Sequence, residues 1–165
     1  MRIATMVQRH RIRPSSFGPL CHTLSRLVAS EHQAVVAYAV RSIKVLVLDD
    51  TLRPQATAAG IPITLAKALK AREGDVECLR EILGAIQTLC YDEAGVLAMI
   101  DTGELGSALE LLDTDNLELM LLSTAIAVNV LFFSDSLLMT HGECIDAFRD
   151  KMEALLDAVK RWDVL

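Results

Sequence analysis

Apolar residues recur at steps of three and four along most of the chain, the spacing of one face of an α-helix. Between 75 and 90 the set is Val76, Leu79, Leu83, Ile86 and Cys90. Between 116 and 132 it is Leu117, Met120, Leu121, Thr124, Ala125 and Val128. Together with 32–48, these stretches predict three long helices. A polar break precedes each one: Ser30–Gln33, Ala71–Asp75 and Asp113–Asn116. A short amphipathic segment precedes each break, and a further short segment such as 92–101 closes the unit. The unit is therefore short helix, short helix, long helix.

Four glycines mark its period. Gly18, Gly60, Gly103 and Gly142 are spaced by 42, 43 and 39 residues. Each opens a similar stretch, of which the last is the weakest copy. Glycine lets a chain turn sharply between helices with no β-carbon in the way. Pro19 and Pro62 follow where a new helix starts and a missing N–H costs nothing.

The stretches AAGIPITLAKAL at 58–69, MIDTGELGSALELL at 99–112 and LLSTAIAVNVL at 121–131 resemble the armadillo repeat. The resemblance covers residues 17–160. It implies an all-α fold, a right-handed α-solenoid of three to four three-helix repeats with partial terminal ones. It also implies a concave groove, lined by the long helices, that grips a segment of another protein. Asn129 falls at the asparagine with which armadillo proteins bond the backbone of an extended peptide. The equivalent positions are Lys44 and Gln87. Arg41, Arg80, Leu83 and Ala125 lie three, seven or four residues before these positions and complete the expected groove. The tryptophan of importin-α-type grooves would fall near Val40, Leu83 and Ala125 and is absent from all three.

Composition sharpens this picture. The 165 residues suit one domain, read as a basic tail or cap at 1–16 and a repeat domain at 17–162. Hydrophobic residues at 52% exclude disorder. No uncharged apolar run reaches the roughly 18 residues of a membrane span, and no membrane partner is expected. The first 30 residues hold five arginines and no acid; the chain's net charge is −6, so the remainder carries −11. An acidic body is a poor partner for nucleic acid. Arg41, Lys44 and Arg80 would place positive charge in the groove, which points to an acidic segment, extended or helical. The partial end units invite end-to-end self-association, with the helix through Ala154 to Trp162 as the second cap. Four scattered cysteines predict reduced thiols and a cytoplasmic or nuclear setting. The Arg-rich, acid-free start also matches a mitochondrial presequence.

One stretch reads differently. Residues 43–50, IKVLVLDD, look like a buried strand ending in paired acids, similar to the first strand of a response-regulator receiver domain. Asp92 stands 42 residues after Asp50, and three carboxylates suit Mg²⁺. Against it, some 40 residues precede the stretch, and the C-terminal region is helical rather than a strand ending in lysine. The pairs Cys21-His22 and His141/Cys144 are too distant in a solenoid to share a zinc ion. No nucleophile elbow, dinucleotide loop or phosphate loop is present. The expectation is a noncatalytic adaptor without cofactor or metal.

Overall fold

In the computed structural model the described residues are 14–72 and 74–162, with side chains from 16 to 157 except 73 and 113. The basic segment 1–13, read as a tail or cap, and the side chain of Trp162, in the expected second cap, lie outside them. Among the described residues there are nine α-helices, one 3₁₀ turn and no strand. They are α1 (Pro14–Val28), α2 (Gln33–Val47), α3 (Arg53–Ala58), α4 (Ile61–Ala71), α5 (Val76–Leu89), α6 (Glu93–Ile100), α7 (Leu105–Glu110), α8 (Leu117–Phe132) and α9 (Ser134–Trp162), with the 3₁₀ turn Leu111–Asp113 extending α7.

The receiver-like reading of 43–50 is thereby corrected. Residues 43–47 complete α2, and Asp49 and Asp50 form the turn after it. Val36, Val40, Ile43 and Val47 are buried at helical spacing, so the run IKVLV extends an apolar face that starts upstream.

Helices α3–α4–α5 and α6–α7–α8 each repeat the order short, short, long. Helices α1 and α2 are the second and third members of an incomplete unit. Like packs on like: α2 on α5 and α5 on α8, α1 on α4 and α4 on α7, α3 on α6. This is an α-solenoid, and a single hydrophobic core runs through it from Phe17 to Phe148. Three hydrogen bonds join residues 42 apart and fix the register. Arg72 Nη2 donates to the Ser30 carbonyl, Gln33 Nε2 to Asp75 Oδ1 at 2.9 Å, and Asn129 Nδ2 to the Gln87 carbonyl at 3.2 Å.

Two of the four marker glycines are hinges. Gly60 (φ 81°) and Gly103 (φ 72°) adopt left-handed backbone immediately before or within the turn to a second helix. The other two are not hinges. Gly18 lies inside α1, which starts at Pro14 and runs through Pro19. Gly142 lies inside α9, whose bend is carried by its neighbour His141 (φ −134°, ψ 30°).

The apolar face expected of the third long helix is also corrected. α8 buries Leu119, Ser123, Ile126, Ala127 and Val130. Leu117, Leu121 and Val128 are exposed instead. Because α8 is apolar on nearly every side, periodicity alone does not select the buried one.

Candidate functional site

Of α2, α5 and α8, the three helices that build the outward face, α5 and α8 have capped starts. Asp75 caps α5 by accepting from the Cys78 N–H at 3.1 Å, and Asn116 caps α8 by accepting from the Leu119 N–H at 3.1 Å. The cap hydrogen bonds to Cys78 lower the Asp75 pKa, with smaller contributions from Gln33 and Arg72.

Two polar chains cross this face. Near the N-terminal halves of the helices, Arg41 meets Glu81 at 2.8 Å; Arg80 meets Glu81 at 3.3 Å and Glu118 at 3.7 Å. Charges thus alternate from α2 across α5 to α8. Glu81 raises the Arg41 pKa, chiefly through their hydrogen bond. The Arg41 guanidinium also lies 5.9 Å from the centre of the Tyr38 ring. Near the C-terminal ends, Asn129 caps the free carbonyl of Gln87, and Gln87 Nε2 donates to the Tyr91 hydroxyl at 3.0 Å. Arg53 stacks over the Tyr91 ring at 5.6 Å.

Lys44 sits between these chains. A β-carbon at Gly84 would fall 2.9 Å from Lys44 Nζ, so the lysine crosses α5 where a side chain is missing. Among the described residues Lys44 has no ion pair, in contrast to Arg41 and Arg80.

Of the seven expected groove residues, Arg41, Lys44, Arg80, Gln87, Ala125 and Asn129 are exposed or half-buried; Glu81 joins Arg41 and Arg80, and Asn129 bonds Gln87. Leu83 is not among them. It is fully buried, turned inward among the core residues of α5. The positive charge is also smaller than the sequence suggests, since Glu81 and Glu118 offset both arginines.

Asp50 and Asp92, the carboxylates of the receiver-like reading, do come together, but around Arg53. Arg53 is 5% exposed; Nε donates to the Val47 carbonyl at 2.8 Å, Nη1 to Asp92 at 3.2 Å and Nη2 to Asp50. The cation between these acids is a side chain. Asp92 also caps α6 through the Gly95 N–H at 2.8 Å.

The cysteines are free thiols. Burial pushes Cys78 up to about 11 and Cys90 up to about 12, and raises Cys21 and Cys144. They remain protonated near neutral pH and are weak nucleophiles. His141 Nε2 lies 3.8 Å from Asp101, and no cluster of three metal-ligating residues occurs among the described residues.

Sequence reading missed the apolar stripe on α8. Leu117, Leu121, Val128 and Phe132 are exposed along one side, Leu121 at 57% and Phe132 at 79%. The signal was available, since α8 has more leucine and valine than one buried face needs.

No family model matches the chain, and no curated protein matches it in sequence. Solved structures do match in shape. A designed armadillo repeat protein in complex with the peptide (KR)4 superposes with a TM-score of 0.62 at 19% identity, over 78% of this chain and 50% of that one. An engineered protein superposes with a TM-score of 0.62 at 16% identity, over 79% of this chain and 63% of that one. The chain thus spans half to two thirds of the length of these neighbours. Its fold is an armadillo-like helical repeat.

Proposed function

We propose that this chain is a noncatalytic interaction module that holds a segment of another protein along the outward face of α2, α5 and α8. One observation carries the reading: three long helices are stacked in register, and along them Arg41, Lys44, Arg80, Gln87 and Asn129 stay exposed or half-buried. A designed neighbour of the same fold is in complex with a peptide. Asn129 spends one amide hydrogen on Gln87 and keeps a second donor and its oxygen for a peptide bond. Lys44 supplies the cation for an acidic partner residue, because Arg41 and Arg80 are already paired. Selection from a random peptide library on the wild-type chain tests this. Enriched peptides should contain acidic residues and lose affinity for Lys44→Glu. Failure to enrich, or equal binding by the variant, removes the assignment.

The α8 stripe favours a second mode, in which a second copy covers it. With the caps Asp75 and Asn116 aligned, Leu121 and Val128 occupy in α8 the places of Arg80 and Gln87 in α5. Those two residues meet the next long helix, so the stripe continues an interface that the molecule already uses internally.

A further inference from the structure

The geometry points to a second binding site, independent of the long-helix face, that takes a small organic anion with an apolar body. A cavity of about 490 Å³ opens between α1 and α4. No residue of α2, α5 or α8 lines it. Its volume lies in the range of small-molecule sites, about 300–1,000 Å³.

The chemistry of the walls is one-sided. His22 and Arg26 from α1, Lys67 from α4 and Arg72 just after it stand around an apolar floor that includes Val28 and Ile63. Among the described residues no acid lines the cavity, in a chain with 22 acidic and 16 Lys and Arg side chains. Among the described residues Arg26 and Lys67 have no ion pair. Arg72 is held in place by the Ser30 carbonyl, and its charge is partly shared with Asp75. Thr64 donates to Ser25 at 2.9 Å and ties the two helices together beneath the opening.

The neighbouring groove of the stack shows that this is no general property of the repeat. Between α4 and α7 the corresponding space is about 130 Å³, lined by Leu69, Leu79, Leu111 and the acid Glu110. Lys70 and Glu104 bridge the same two helices at 3.2 Å. At the 43-residue spacing of Gly60 and Gly103, Ala68 of the first groove corresponds to the larger Leu111 of the second. An exposed cation attracts anions weakly alone, but three cations, one of them held in place, and a histidine around an apolar lining reward a ligand with both features.

Calorimetric titration of the full chain with decanoate and with decyl phosphate tests the site, with decanol and decyltrimethylammonium as controls. Both anions should bind saturably and one-to-one, and their ranking distinguishes carboxylate from phosphate ligands. Arg26→Glu with Lys67→Glu should weaken both by about tenfold or more, with an unchanged circular dichroism spectrum. Ala71→Trp, which fills the void without altering charge, should also abolish binding. Lys70→Glu, on the neighbouring groove, should leave binding intact. Decanol binding as tightly as decanoate, or full affinity in the double variant, overturns the proposal. Displacement of decanoate by a tighter-binding octaglutamate peptide also overturns it, by making the groove a peptide site.

Discussion

Arg53 shows how much one side chain can hold together here. It joins the end of α2, the turn after it and the cap of α6, and it supports Tyr91 from below. Removing it leaves the Val47 carbonyl and Asp92 short of a donor. Asp50 is 87% exposed on its side chain and adds little. Arg53→Ala should therefore cost about 2–3 kcal/mol. In urea the midpoint should fall with an unchanged slope. A loss under about 0.5 kcal/mol would mean the guanidinium is not a structural link. Asn129 is a smaller version of the same device. Asn129→Ala frees a helix-end carbonyl that water can partly satisfy, so about 1 kcal/mol or less should be lost. That cost belongs to the fold, which is why Lys44 is the cleaner probe of partner binding. Neither contact was legible in the sequence. The spacing of Asp50 and Asp92 suggested a receiver-like Mg²⁺ site; both acids instead bond the Arg53 guanidinium, which no pattern in the sequence indicated.

At the scale of the element, the long helices were legible almost to their ends. The expected 32–48, 75–90 and 116–132 became Gln33–Val47, Val76–Leu89 and Leu117–Phe132, because Asp75 and Asn116 are capping residues followed by apolar periodicity. The Asp75 cap has a pH signature. Its pKa is lowered in the fold by the Cys78 cap, so its contribution is complete above the ordinary carboxylate value near 4. The contribution fades as pH falls through the lowered value. Asp75→Ala should cost about 1 kcal/mol at neutral pH. Asp75→Asn should keep most of the cap and flatten the acid limb of the stability profile, measured by thermal unfolding from pH 7 to 2. An acid limb as steep as in the wild type would remove Asp75 as its source. What the sequence left hidden were rotations rather than boundaries. Leu83 turned inward and Leu121 outward, because α5 has one apolar face and α8 has several. Gly18 and Gly142 misled because a helical glycine and a hinge glycine are the same letter; only Gly60 and Gly103 need the left-handed backbone.

For the whole molecule, stability sums over stacked units, and the long helix α5 is covered on both sides by α2 and α8. α8 packs on α5 and on α9, yet its stripe of Leu117, Leu121, Val128 and Phe132 stays exposed. Apolar area left open along a long helix costs free energy that a further helix laid against it would recover. A second copy can supply one through the exposed side of its α2, where Tyr38 is 68% exposed. Such a contact pairs two different surfaces, so it does not close on itself and each addition leaves a new stripe free. Sedimentation should therefore show mass rising with concentration without a plateau at the dimer. Leu121→Glu with Val128→Glu, both at exposed positions, should return the chain to a monomer with its helical content intact. A monomeric wild type at high concentration would mean that the stripe is not an interface between copies. A stable dimer that stops there would mean that two α8 stripes pair with each other, and the α8-to-α2 arrangement would fall.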